Sequence, residues 1–248
     1  MNQQRYKWPL QVRSYEVGKD GYAGVAHIAN YFQEAAGLHA QQLHFDIADL
    51  HKRGLTWVLY RLHITVEHYP KRWDSITVST RPSSGDGLRA FRDYALHTET
   101  GEIIAKGISQ WMVLDVQKKR PVRLPNEIME LGLDDSGHLL EPNKNPLPTI
   151  DHSENETLVT VGQTDLDMNG HVNNTRYIAW MLDFLPEEWQ NGHQCTSFEL
   201  QYYKEARMRD ELVVRSSADT GTIIHEITDK DSREVIARGE SRWEAVSV

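Results

Sequence analysis

Apolar residues along this chain follow two rhythms, and the rhythms occur twice in the same order. Near-helical spacing places Ile28, Phe32, Ala35, Ala36 and Leu43 on one face, predicting a helix over roughly Ala26–Leu43. A second such face, with Tyr177, Ile178, Met181, Leu182 and Leu185, predicts a helix over roughly Asn173–Phe184. Opening strands are expected around Leu10–Tyr15 and Thr157–Val161, one ahead of each helix. After the first helix come β-rich runs at Thr56–Val66, Ser75–Arg81, Ala90–Thr98 and Glu102–Val116. After the second come Ser197–Tyr203, Glu211–Ser217, Thr222–Thr228 and Glu234–Ala245. Turns such as Gly85-Asp86-Gly87, Glu99-Thr100-Gly101 and Thr220-Gly221 separate many of these runs, as an antiparallel sheet requires. One long helix against a curled antiparallel sheet is an α+β unit. Five prolines punctuate a polar connector from about Gln117 to Glu156, in which Ile128–Leu133 is expected to form a short helix.

The two halves also share residues. Glu102-Ile103-Ile104-Ala105-Lys106-Gly107-Ile108-Ser109-Gln110-Trp111 matches Glu234-Val235-Ile236-Ala237-Arg238-Gly239-Glu240-Ser241-Arg242-Trp243 at the Glu, second Ile, Ala, Gly, Ser and Trp. Trp73-Asp74-Ser75-Ile76-Thr77-Val78 echoes Arg209-Asp210-Glu211-Leu212-Val213-Val214, and the stretch from Gly24 to Phe32 lines up with that from Gly170 to Ile178. Matches in the same order identify a tandem duplication of one structural unit.

Composition narrows the class. A chain of 248 residues with 39% hydrophobic and 25% charged residues can bury a sizeable core and reads as globular, with no apolar run long enough to span a bilayer. The N-terminal residues lack the apolar stretch of a secretory signal, and a single cysteine, Cys195, fits a reducing cytoplasm. A net charge of −9 argues against broad binding to nucleic acid or anionic membranes. The twelve histidines are scattered without metal-ligand spacing, so neither a metal nor a cofactor is expected.

Chemistry concentrates in Asp165-Leu166-Asp167-Met168-Asn169-Gly170-His171-Val172-Asn173-Asn174, which runs into the second helix. Asn169-Gly170 is a strong turn signal. Asp167, Asn169 and His171 alternate, so a turning backbone would project carboxylate, amide and imidazole to one side. The following helix would aim its N-terminal N–H groups at the same region, suiting it to polarise a carbonyl oxygen. A polar helix cap would use similar residues, and the repeat offers a control. Aligned on the shared glycine, the first copy has Gly21, Ala23 and Val25 at these positions. A cap would be wanted in both copies, so the asymmetry favours function. Asp165 reads as a turn or cap residue, and Asn173 and Asn174 as ordinary helix-start residues.

This set of residues closely resembles the acyl-acyl-carrier-protein thioesterases. The resemblance rests on Asp165-Leu166-Asp167-x-Asn169-x-His171-Val172-Asn173-Asn174-x-x-Tyr177-Ile178-x-Trp180. It extends through Trp57-Val58-Leu59-x-Arg61, Tyr69-Pro70-x-x-x-Asp74, Gly87-x-Arg89, Gly101-Glu102-Ile103, Ser109-x-Trp111 and Arg120-Pro121-x-Arg123-Leu124-Pro125. It implies a tandem (double) hotdog: residues 1–116 as an N-terminal hotdog housing the acyl tunnel, 117–156 as connector, and 157–248 as a C-terminal hotdog with the catalytic residues. The implied catalytic set is Asp167, Asn169, His171 and Glu205, the last in Tyr202-Tyr203-Lys204-Glu205-Ala206. A cysteine often follows that Glu in the family. Here the position is Ala206, which weakens any thiol mechanism, and Cys195 lies outside the motif.

The implied reaction is hydrolysis of fatty acyl-carrier-protein thioesters, with no cofactor. Trp57, Trp111, Trp180 and Trp243 are expected in the core, some of the first-half ones lining the tunnel, and Trp57 is a substrate-contact candidate. The partner implied, acyl carrier protein with its phosphopantetheine arm, is acidic, so a local cationic face is expected. Lys118-Lys119-Arg120 with Arg123 is the densest basic run, and Arg207 and Arg209 lie near Glu205. Lys119 and Arg207 are the docking candidates. An acyl-coenzyme A thioesterase, a hotdog dehydratase and a non-catalytic acyl-binding module are the rival readings. Tandem units can satisfy one another as dimer subunits do, yet exposed sheet edges leave a homodimer open.

Overall fold

The computed structural model describes residues 5–132, 137–153 and 155–245. It divides into two compact units, Met1–Asn143 and Lys144–Val248, with the division inside the expected connector.

In the first unit β1 (Tyr6–Gln11) precedes the central helix α1 (Val25–Gln42) and the short α2 (Ile47–His51). Then come β2 (Leu55–Val66), β3 (Ser75–Gly85), β4 (Arg89–Thr98), β5 (Ile103–Asp115), β6 (Arg120–Val122) and α3 (Asn126–Leu131). The strands pair antiparallel in the order β1-β3-β4-β5-β2, with β6 added to β5. The second unit holds β7 (Asn155–Thr160), α4 (Asn174–Asp183), α5 (Glu187–Gly192), β8 (His193–Tyr202), β9 (Glu211–Asp219), β10 (Thr222–Asp229) and β11 (Val235–Ala245). Its antiparallel order is β7-β9-β10-β11-β8, the same path through equivalent strands. Each unit is the helix-in-a-curled-sheet arrangement that the repeat implies.

Matching packing devices seat the two helices. A Cβ on Gly107 would lie 2.7 Å from Phe32 Cε2, and one on Gly239 would lie 2.9 Å from Met181 Sδ. Glycine at these strand positions lets each helix press onto its sheet. Phe32 stacks on Tyr94 with centroids 4.9 Å apart, and the Tyr94 hydroxyl bonds Ser109 Oγ at 2.9 Å, which also accepts the Trp111 indole N–H at 2.7 Å. In the second unit His225 Nε2 meets Ser241 Oγ at 2.7 Å, and Ser241 accepts the Trp243 N–H at 2.7 Å. A serine hydroxyl thus ties a buried aromatic or imidazole group to a tryptophan in each unit, where the helices sit. In the first unit, residues 137–143 are tied to the sheet: Leu139 N–H donates to buried Asp93 at 3.3 Å, and the Asn143 carbonyl accepts from Arg61 and Gln110 at 3.3 and 3.2 Å.

Several boundaries differ from expectation. The first strand is Tyr6–Gln11 rather than Leu10–Tyr15. Tyr6, Trp8 and Leu10 alternate inward, and Pro9, which cannot donate a ladder bond, is accommodated because β1 lies at an end of the sheet order. Residues 13–16 turn instead, closed by Glu16 N–H to the Arg13 carbonyl. β7 likewise starts two residues earlier than expected. β3 continues past Arg81 through Pro82, where the register with β4 shifts. The connector helix is Asn126–Leu131, and Leu133 lies outside the described residues.

Candidate active site

The loop before α4 is built by its own backbone. Asp167 N–H donates to the His171 carbonyl at 2.8 Å, and Gly170 N–H donates to the Asp167 carbonyl at 3.1 Å, with Gly170 at φ 76° as the turn requires. The Asp167 carboxylate accepts the backbone N–H groups of Asn169 (2.8 Å) and His171 (3.3 Å), and its other oxygen takes the Asn169 side-chain amide at 3.3 Å. Asp167 therefore fixes the Asn169 amide, with Nδ2 towards Asp167. Its link to His171 runs through the backbone N–H.

A second segment is laced to this loop. Val172 N–H donates to the Ala206 carbonyl at 2.9 Å, and His171 forms an antiparallel bridge with Arg207. From the helix side, Tyr177 Oη accepts the Ala206 N–H at 3.1 Å, and the Tyr202 hydroxyl donates to the Asn174 carbonyl at 2.9 Å. Burial holds the Tyr177 hydroxyl well above its ordinary pKa, and the Ala206 bond only partly offsets this, so Tyr177 stays neutral. These links deliver Glu205, which no local pattern singles out, to His171: Nε2 and Oε2 lie 3.2 Å apart. The His171 side chain is 29% and the Glu205 side chain 50% exposed, so the pair is open to water. Lys204, next to Glu205 in the chain, pairs with Glu234.

Asp165 has a structural task. Its buried carboxylate accepts the Gly162 N–H at 2.8 Å and both Nε and an Nη of Arg176 on α4, each at 2.8 Å. Asn173 caps α4 by accepting the Thr175 N–H at 3.1 Å. The backbone donors of Val172, Asn173 and Thr175 are thus already bonded, to Ala206, Asp165 and Asn173. They are not free for an incoming carbonyl, contrary to the simple picture of an open helix N-terminus.

The first unit repeats the main backbone bonds of this loop and corrects the alignment. Gly18 N–H to the Tyr22 carbonyl (3.0 Å), Gly21 N–H to the Gly18 carbonyl (3.0 Å) and Ala23 N–H to the Pro70 carbonyl (2.9 Å) reproduce the loop. The Tyr22–Lys71 bridge reproduces that of His171 with Arg207. The positions equivalent to Asp167, Asn169, His171 and Glu205 are therefore Gly18, Asp20, Tyr22 and Tyr69. The earlier set of Gly21, Ala23 and Val25 was three residues out, because matching on glycine set the helix cap Gly24 against the turn residue Gly170. The asymmetry survives. Glu16 occupies the place of Asp165, accepting the Arg13 N–H at 2.7 Å and the Tyr31 hydroxyl at 3.0 Å. The brace is common to both units, while the His–Glu pair is confined to the second.

The remaining candidates lie elsewhere. Trp57 donates its indole N–H to the Phe45 carbonyl at 2.8 Å and packs on a cluster of Leu50, Val113, Leu124 and Ile128. Lys119 is exposed at the β5–β6 turn with φ 50°, and Arg207 is exposed beside the His171 bridge. Cys195 is buried in β8. Among the described residues no group of three or more His, Cys, Asp or Glu could hold a metal ion. No helix among them is long and apolar enough to cross a membrane.

Comparison with known proteins is consistent with this geometry. Residues 3–131 match the family described as "Acyl-ACP thioesterase N-terminal domain", and residues 149–245 match "Acyl-ACP thioesterase C-terminal domain". A palmitoyl-acyl carrier protein thioesterase, chloroplastic, from Cuphea hookeriana is 27% identical over 96% of this chain and 62% of its own length. Oleoyl-acyl carrier protein thioesterase 1, chloroplastic, from Arabidopsis thaliana is 30% identical over 83% of this chain and 61% of its own. The chain thus spans about three fifths of the length of these relatives. An acyl-ACP thioesterase structure from Bacteroides thetaiotaomicron superposes with a TM-score of 0.88 at 26% identity, covering 97% of this chain and 98% of that one. The 12:0-ACP thioesterase of Umbellularia californica shares the fold, with TM-score 0.88, 24% identity and 98% coverage of both chains.

Proposed function

The chain belongs to the acyl-ACP thioesterase family, and we propose that it hydrolyses fatty acyl-carrier-protein thioesters, releasing free fatty acid and ending chain elongation. The observation that carries this reading is the 3.2 Å approach of His171 Nε2 to Glu205 Oε2, next to an Asn169 amide fixed by Asp167.

Thioester hydrolysis needs little help at the leaving group, since a thiol with a pKa of about 8.5 departs readily as thiolate. It needs an activated water and stabilisation of the tetrahedral oxyanion. Glu205 takes a proton from water as the water oxygen bonds the acyl carbon, a general-base role worth ~10²–10⁴ in rate. His171, in contact with that carboxylate, orients the water or shares the proton. The Asn169 amide hydrogen-bonds the water or the developing oxyanion, and Asp167 holds that amide. Collapse of the intermediate breaks the C–S bond, and the thiolate of the carrier arm leaves.

In this reading residues 157–248 carry the chemistry, residues 1–116 house the acyl chain, with Trp57 a substrate contact, and 117–156 connect them. The carrier's acidic surface is received by exposed cations, Arg207 beside the pair and Lys119 on the connector turn. Met168, Tyr203 and Met208, exposed on the two segments that carry His171 and Glu205, are the apolar side chains this reading assigns to carrier contact. A single cysteine supports a reducing compartment such as the cytoplasm. Exposed sheet edges support a homodimer, checked by light scattering.

The test is free-thiol release from acyl-carrier and acyl-coenzyme A substrates by the wild type and by Glu205→Gln. The reading expects the carrier form to be preferred and the variant to lose ~10²–10⁴ of its rate while remaining folded. Full turnover by folded Glu205→Gln would remove Glu205 from the chemistry. Preference for coenzyme A would move the substrate class.

A further inference from the structure

The peptide that follows Glu205 is held differently from its counterpart in the first unit. Paired backbone bonds fix the correspondence: the Glu67 and His68 N–H groups both donate to the Ile104 carbonyl, as those of Tyr203 and Lys204 do to the Ile236 carbonyl. Tyr69 therefore matches Glu205, and Pro70 matches Ala206. The next bond agrees, since the Pro70 carbonyl accepts the Ala23 N–H at 2.9 Å and the Ala206 carbonyl accepts the Val172 N–H at 2.9 Å. Counted from Ala23 and Val172 into the helices, Ile28 of α1 occupies the place of Tyr177 in α4.

The two differences go together. Ala206 is fully buried, and its N–H is taken by the Tyr177 hydroxyl at 3.1 Å. Pro70 has no N–H, and Ile28, buried at the matching helix position, has no hydroxyl to accept one. Donor and acceptor are both present in one unit and both absent from the other. Proline restrains that peptide by itself, fixing its own φ and limiting the residue before it. The second unit does with a hydrogen bond what the first does with a ring.

The Ala206 N–H lies in the same rigid plane as the Glu205 carbonyl and the Glu205 Cα, so the bond that holds it also fixes how Glu205 leaves the backbone. The Glu205 side chain is 50% exposed, and among the described residues His171 is its one ion-pair partner. Its direction is therefore set mainly by the chain that carries it. Tyr177 is itself clamped, edge-on to both Trp180 and Tyr202 with ring centroids 5.6 Å apart in each case.

We propose that Tyr177 is a positioning residue for the reaction: its hydroxyl, through the Ala206 N–H, holds the Glu205 carboxylate at His171. The proposal rests on the thioesterase reading with Glu205 as its base. Without the hydroxyl a buried N–H has no partner, and the peptide turns to find one, carrying Glu205 with it. A displacement of about 1 Å at a reacting group can cost ~10²-fold in rate. Substrate binding does not use this bond and is spared.

The experiment measures kcat and KM for acyl-carrier hydrolysis by wild type, Tyr177→Phe, Glu205→Gln and the variant carrying both changes, with folding checked by thermal unfolding. Tyr177→Phe should lower kcat by roughly tenfold to a hundredfold and leave KM within about twofold. In the Glu205→Gln background the same change should cost less than about twofold, because Tyr177 acts through that carboxylate. A general loosening of the fold would slow both backgrounds alike, so equal losses overturn the proposal, as does an undiminished kcat in folded Tyr177→Phe. Rescue supplies an independent arm. Tyr177→Ile combined with Ala206→Pro, the residue pair of the first unit, should recover most of the kcat lost by Tyr177→Ile alone. A folded pair that recovers none of it overturns the proposal even where Tyr177→Phe fails to fold. A wild type that releases no thiol from acyl-carrier substrates, or a folded Glu205→Gln with full turnover, removes the functional reading or its base, and the positioning role with it. A negative result at Tyr177 alone leaves both of those standing.

Discussion

His225 gives the acid side of this protein's stability a calculable slope. Its ring is fully buried, tilted against Phe198, with Nε2 on Ser241 and no hydrogen-bond partner at Nδ1. Protonation would put an N–H where no acceptor waits, in a site that excludes water, and burial lowers the pKa from 6.5 to about 3. A depressed native pKa means that the unfolded chain binds the proton first. The stabilisation is therefore complete above pH 6.5 and is lost as pH falls towards 3. Between those limits the slope is about 1.4 kcal/mol per pH unit, so at pH 5 this one ring removes about 2 kcal/mol. That is a sizeable part of a typical folding stability of about 5–15 kcal/mol. Urea unfolding from pH 4.5 to 8 should show His225→Gln, which can still reach Ser241, with a flatter acid limb by that amount, whatever its stability at pH 8. Parallel acid limbs for variant and wild type would mean that the ring is not held neutral in the folded state, and the reasoning fails.

Other expectations follow from the same geometry. Gly107→Ala would place its Cβ 2.7 Å from the Phe32 ring and should cost about 1–3 kcal/mol by thermal unfolding. Gly37→Ala, in α1 with nothing within 4 Å, should instead stabilise by about 0.4–1 kcal/mol. Charge reversal at Arg207 or Lys119 should raise KM for carrier-bound substrate and leave hydrolysis of a small thioester intact, and equal effects on both substrates would refute docking. Asp165→Asn should lower the melting temperature by weakening the Gly162–Arg176 brace, with the loss read by calorimetry.

Much of this was visible along the chain. Helical spacing located α1 and α4 to within a residue at each end, because Phe32 and Met181 sit on stripes that pack on glycines of a strand. The strands between turns were legible as elements, though β3 runs four residues past the expected Arg81 and β8 starts four before the expected Ser197. Pro9 obscured the first strand, since an alternating edge with a proline reads as a break. The helices α2 and α5, of five and six residues, are too short for periodicity to register. Asp167, Asn169 and His171 were legible as a turn with chemistry. Glu205 was reached only through the family resemblance, for its proximity to His171 comes from the Val172–Ala206 bond and the Tyr177 hydroxyl, both long-range in sequence. The register of the repeat was misjudged for a related reason: residue identity aligns glycines, whereas hydrogen bonding aligns functions of the backbone. Tyr177 read as core and is in part the anchor of the Glu205 segment.

The carboxylate brace shared by Glu16 and Asp165 has a consequence for design. Because each entry loop is hung from an acid outside the proposed catalytic set, the residues just beyond it can change without removing that brace. The same brace therefore supports two different sets of loop side chains, Gly18, Asp20 and Tyr22 in one unit and Asp167, Asn169 and His171 in the other. Segment 16–22 is accordingly a natural acceptor for a transplant of 165–171, together with a glutamate at residue 69.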